Sequence, residues 1–127
     1  MRGPRRGIQE DFERLARFLK VLAEPRRLAI LCLLMQREMC VCEILAEMGI
    51  SQPLTSHHLS VLAEAGLIRS RRQAQRIFYS IVPEALAQLN ASFAACLGMD
   101  RLRPEAAYGR GTVGLPLPKA EELPGAA

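Results

Sequence analysis

The chain has no tryptophan, and aromatic residues make up only 5% of its 127 positions. Half of the residues are apolar, so the core must be built from Leu, Ala, Ile and Val, as in a small helical domain. Long hydrophobic runs are also missing. The longest, "LAILCLLM" at residues 28–35, is too short to cross a bilayer. The basic start "MRGPRRG" is not followed by an apolar stretch, which excludes a signal peptide and gives a cytoplasmic expectation with no membrane partner. Four cysteines in a reducing compartment do not read as a disulfide framework; metal binding or redox sensing is the better expectation for thiols outside the core. No Cys-x-x-Cys stands beside a βαβ pattern. No Ser/His/Asp set or carboxylate pair is apparent either, so the chain does not read as an enzyme.

The remaining residues divide into three regions. Residues 1–7 read as a basic N-terminal arm, residues 8–98 as one folded domain, and residues 99–127 as a disordered tail. From Pro104 onward the chain holds four of the eight prolines and four of the nine glycines, with few large apolar residues. In the middle region, apolar residues at Phe12, Leu15, Leu19 and Leu22 mark a first helix. Pro25 opens a second, with Leu28, Leu31 and Met35 as its expected core stripe. A short helix around residues 42–48 ends at Gly49. Ser51 caps the next, with Pro53 in its first turn and Leu59 and Leu62 on its core face. Two alternating segments, "LIRSRR" and "RIFYSIV", predict a hairpin. Its connector "QAQ" has no glycine, which predicts a loose turn. Pro83 opens a last helix, with Leu86, Leu89, Phe93 and Leu97 on one face. The order predicts a mainly α fold with a small β-hairpin: a winged helix-turn-helix of about five helices and a two-stranded wing.

Charge singles out one surface. Residues 51–82 contain four arginines (Arg69, Arg71, Arg72 and Arg76) against one acid, Glu64. A net charge of +4 and a pI near 9.2 favour an anionic partner. On the helix opened by Ser51, the wheel turns Thr55, Leu59 and Leu62 inward and Gln52, Ser56, His57 and Ser60 outward. Such short hydrogen-bonding side chains suit base edges and phosphates. The expected contacts to double-stranded DNA are Ser51, Gln52, Ser56, His57, Ser60, Arg71, Arg72 and Arg76, while His58 is expected to be packed or hydrogen-bonded.

The segments "LAEPRRLAILCLL", "MCVCEIL", "GISQPLTSHHLSVLAEAGLIRSRR" and "RIFYSI" resemble the ArsR/SmtB family of winged-helix repressors. "CVCEI" is similar to the inducer box of the arsenical-resistance members, often written Glu-Leu-Cys-Val-Cys-Asp-Leu. The resemblance implies a homodimer joined through the first and last helices, bound to operator DNA until an inducer releases it.

Cys40 and Cys42 are the expected inducer ligands. Inside a helix, residues i and i+2 diverge by about 200°, whereas on extended chain they point the same way. The pair therefore chelates only if it straddles a helix start, where thiolate is also favoured. No obligatory cofactor is expected. Thiolates select As(III), Sb(III) or another soft thiophile such as Cd, Pb or Cu(I). One departure stands out: Leu45 occupies the position where arsenical repressors carry a third cysteine. The third ligand then comes from elsewhere, Cys96 being the weak candidate, or the inducer needs only two thiols. Residues 83–98 contain no His, so the family's zinc site on the last helix is absent. The alternative is a persulfide- or redox-responsive repressor of the same fold using Cys32 and Cys96.

Overall fold

The structure is a computed structural model, and it describes residues 6–99. Five of the seven arm residues and all of the expected tail beyond Met99 lie outside the described residues. Eight elements follow in order: α1 (Arg6–Leu22), α2 (Pro25–Gln36), β1 (Met39–Cys40), α3 (Val41–Met48), α4 (Gln52–Glu64), β2 (Ile68–Gln73), β3 (Arg76–Ile81) and α5 (Pro83–Leu97). Helix α1 starts at Arg6, two residues ahead of the expected boundary.

Local chemistry accounts for most of the helix ends. A Glu24 carboxylate oxygen accepts from the Arg26 and Arg27 amides at 2.8 and 3.1 Å, capping α2, and Pro25 occupies the first helical turn. Gly49 ends α3 in the left-handed region at φ 64°, its amide donating to the Leu45 carbonyl at 3.1 Å. Ser51 Oγ then accepts from the Leu54 amide at 3.3 Å to open α4. Helices α3 and α4 thus meet across residues 49–51, forming the helix-turn-helix.

The core gathers Ile30, Leu31 and Leu34 from α2, Met39, Ile44, Leu59, Leu62, Leu67 and Ile68. Full burial of such a side chain contributes about 1.5–3 kcal/mol. The expected α2 stripe is corrected here: Leu31 is buried, but Leu28 and Met35 are 46% and 63% exposed. That helix is apolar around most of its circumference, so its periodicity alone does not select a face. Packing against α3, α4 and β3 selects Ile30, Leu31 and Leu34.

The sheet also departs from expectation. It has three antiparallel strands in the order β1-β3-β2. The additional strand is Met39–Cys40, in register with Tyr79 and Phe78. The wing turn is tight: Gln73 pairs with Arg76, leaving only Ala74 and Gln75 in the loop. Ala74 takes φ 56°, the positive-φ role that glycine fills at the first position of a type II′ turn. Among the described residues no helix is long and apolar enough to cross a membrane.

Candidate DNA interface and thiol site

Helix α4 presents the two faces expected of a reading helix. Thr55, His58, Leu59 and Leu62 are buried; Gln52, Ser56, His57 and Ser60 are exposed. The buried Thr55 hydroxyl donates to the Ser51 carbonyl at 3.0 Å. Ser51 is exposed as well, but its oxygen already caps α4, so what it can offer a ligand is chiefly its O–H as a donor.

His58 anchors the inner side. Its Nδ1 lies 3.4 Å from the Arg27 guanidinium, and its Nε2 lies 3.7 Å from the Glu24 carboxylate without a hydrogen-bond partner. Arg27, an obligatory donor, assigns Nδ1 as acceptor and the proton to Nε2. Burial pushes the His58 pKa below 6.5, opposed by the Glu24 charge and assisted by Arg27, His57 and Arg26. The ring ties α4 to the α1–α2 junction, since Arg27 Nε also donates to the Val21 carbonyl.

The wing arginines take different roles. Among the described residues, Arg72 and Arg76 form no ion pair within 4 Å, and both are exposed. Arg69 lies 3.7 Å from the exposed Glu84 carboxylate. Arg71, expected to face DNA, is instead held by Glu38: Nε lies 3.0 and 2.9 Å from the two carboxylate oxygens, and a terminal nitrogen 2.5 Å from one of them. The guanidinium also sits 4.6 Å from the Phe78 ring centroid. The Arg71 hydrogen bonds hold the Glu38 carboxyl below the usual carboxylate range. Glu38 has no role legible in the sequence, because its partner lies 33 residues away.

The thiol pair straddles the junction of β1 and α3. Cys40 is the extended N-cap residue, 2% exposed, and Cys42 lies exposed in the first turn of α3. Their Cα atoms are 5.4 Å apart and their sulfurs are joined as a disulfide. Glu43 steadies the junction, its carboxylate accepting from the Cys40 amide at 3.2 Å and pairing with Arg37 at 2.6 Å. The Cys40 amide, then Arg37, lower the Glu43 pKa. A groove of about 480 Å³ borders the pair, lined by Leu45, Leu59 and Tyr79 together with Gln52 and Ser56 of α4 and Arg76 of the wing.

The other two cysteines stand apart from the pair. Among the described residues no cluster of three or more His, Cys, Asp or Glu forms, so Cys96 does not complete a three-ligand set with Cys40 and Cys42 within one chain; it sits half-buried on α5. Cys32 is exposed on α2 and unpaired with Cys96. The α2 face that carries it turns away from the core.

A capped reading helix behind a short turn, with an arginine-bearing hairpin beside it, defines a winged-helix DNA-binding regulator rather than an enzyme. Comparison with known proteins narrows the class. Residues 24–70 match the model of the bacterial regulatory protein arsR family. The chain is 40% identical over 86 residues to the biofilm growth-associated repressor of Agrobacterium fabrum, covering 68% of this chain and 74% of that one. It is 37% identical over 80 residues to the arsenical resistance operon repressor of Staphylococcus xylosus, covering 63% and 77%. The crystal structure of NolR from Sinorhizobium fredii superposes with a TM-score of 0.61 at 34% identity, covering 77% of this chain and 98% of that one. The chain belongs to the ArsR family of transcriptional repressors.

Proposed function

We propose that the protein is a dimeric repressor that holds operator DNA through α4 and the wing and releases it when a soft thiophile binds Cys40 and Cys42. The observation that carries this reading is the placement of the two sulfurs at one point on the β1–α3 junction. Sulfurs close enough to bond need little chain movement to share one arsenic, antimony or soft metal atom. A pair of thiols suits a ligand with two exchangeable positions, such as a monosubstituted trivalent arsenical. Two As–S bonds form, two As–OH bonds break, and two waters leave. The Staphylococcus xylosus relative, an arsenical resistance operon repressor, supports this ligand class. Dimerisation is supported by the exposed apolar residues Phe12 and Leu19 on α1 and Phe93 and Leu97 on α5, two helices that pack together.

The switch follows from what the junction touches. Cys40 pairs with Phe78 in the wing sheet, and α3 packs on α4. An atom bridging the two sulfurs moves that junction only slightly, but the junction's direct contacts pass the movement to the reading helix and the wing. The thiophile requires the reduced pair, so a disulfide-closed protein is refractory.

The test is release of a labelled upstream DNA fragment by arsenite, phenylarsine oxide, Cd, Zn or inorganic persulfide, with reduced and oxidised protein. Release of the reduced protein by an arsenical or soft metal, lost in the Cys40→Ser/Cys42→Ser double variant, is expected. The exposed Cys32 on α2 favours a second reading, sensing through Cys32 and Cys96. Release by persulfide alone, unchanged in the double variant, would establish that reading and overturn the first.

A further inference from the structure

One row of residues crosses the wing sheet from the thiol pair to its far edge. Cys40 on β1 is the cross-strand partner of Phe78 on β3, and Phe78 is the partner of Arg71 on β2. Cross-strand partners share a face, and the Arg71 guanidinium lies over the Phe78 ring. Glu38, immediately before β1, then closes the row by gripping Arg71 with both carboxylate oxygens. The ends of the two outer strands are thus tied to each other across the central one. A planar guanidinium held by two oxygens and stacked on a ring has one geometry, unlike a single-point ion pair between flexible chains.

We propose that Glu38 is a positioning residue: its pair with Arg71 braces the wing in its DNA-binding posture and links that posture to the state of Cys40. Arg71 is therefore a strut rather than a phosphate contact, and Arg72 and Arg76 carry the wing's contact with the DNA backbone. The link to Cys40 rests on the thiophile reading above; the brace itself does not.

The experiment measures the affinity of the reduced full-length protein for its upstream DNA duplex as salt is varied, with and without phenylarsine oxide. It compares the wild type with Glu38→Gln, Arg71→Gln, Arg71→Lys, the Glu38→Gln/Arg71→Gln double variant and the exchange Glu38→Arg/Arg71→Glu. Thermal melts confirm that each variant is folded. Without the probe, each single substitution weakens binding by roughly fivefold. Arg71→Lys is included in that loss, since it keeps the charge but not the fork. The double variant binds no worse than either single one, the exchange recovers most of the loss, and the salt slope of Glu38→Gln matches wild type. With the probe, Glu38→Gln takes up the same amount per chain by mass, but its ratio of free to probe-bound affinity is smaller.

A phosphate-contacting Arg71 gives the opposite set. Glu38→Gln then binds as well as wild type or better, Arg71→Lys is tolerated, Arg71→Gln flattens the salt slope by about one contact per chain, and the exchange stays weak. That result overturns the brace. A Glu38→Gln protein with weakened affinity but an unchanged probe ratio overturns the link to Cys40. If the probe fails to release the wild type, the thiophile reading and the link fall together, and the probe-free affinities still decide the brace.

Discussion

His58 shows how one buried ring couples stability to pH. Its pKa is lowered by burial despite the nearby Glu24 carboxylate, so the folded protein holds the ring neutral where the unfolded chain would protonate it. The folded state then binds fewer protons than the unfolded one. His58 contributes its full stabilisation above pH 6.5 and loses it as the pH falls from there through the lowered folded value. Protonation at Nδ1 would turn an acceptor into a donor facing the Arg27 guanidinium at 3.4 Å. The expected outcome is a melting temperature that drops as the pH falls below 6.5. In His58→Gln the drop is flattened, because the amide has no charge to gain. An equal drop in both proteins would mean that the effect does not arise at His58. Glu38 and Glu43 titrate below their ordinary 4.5, so their contributions are lost only at more acid pH.

The wing hairpin carries the clearest local strain among the described elements. Ala74 holds φ 56°, a region that costs a Cβ-bearing residue about 1–2 kcal/mol. Glycine removes that cost but adds freedom to the unfolded chain, a smaller opposing effect of about 0.4–1 kcal/mol. Ala74→Gly is therefore expected to stabilise the protein by about 0.5 kcal/mol, read as a higher urea midpoint at unchanged slope. A lower midpoint would mean that the methyl group makes a contact worth more than the strain. The loose turn expected from "QAQ" reflects the usual glycine signal for two-residue hairpins. Here the pairing of Ile68 with Ile81 through Gln73 with Arg76 sets the turn length, and alanine accepts the strain. The extra strand was hidden for a related reason. Two residues, Met39 and Cys40, are too few to show alternation, and only the facing Phe78 and Tyr79 make them a strand.

The proposed dimer would join through the outer faces of α1 and α5. In the single chain, Phe93 and Leu97 are 46% and 60% exposed, so replacing them with glutamate leaves the buried core of the fold untouched. If these faces join two copies, Phe93→Glu/Leu97→Glu sediments as a monomer with an intact melt and binds a two-half-site operator roughly 100-fold more weakly. A variant that remains dimeric would place the interface elsewhere, with Leu28 and Met35 of α2 as the next exposed apolar face.

The elements that the sequence by itself determined are those encoded within a few residues. The prolines at the starts of α2, α4 and α5, the Ser51 cap, the Gly49 stop and the position of Cys40 and Cys42 at a helix start all depend on local hydrogen bonds and steric limits. So does the outward row of Gln52, Ser56, His57 and Ser60, which follows from helical spacing once Leu59 and Leu62 are placed inside. Only the tertiary structure decided which face of the nearly all-apolar α2 turns inward, that Cys40 belongs to the wing sheet, and that Arg71 answers to Glu38 rather than standing open. Each of these depends on a partner distant in the chain. Periodicity reports how residues repeat along one element; it carries no information about which distant element supplies the facing surface or the opposite charge.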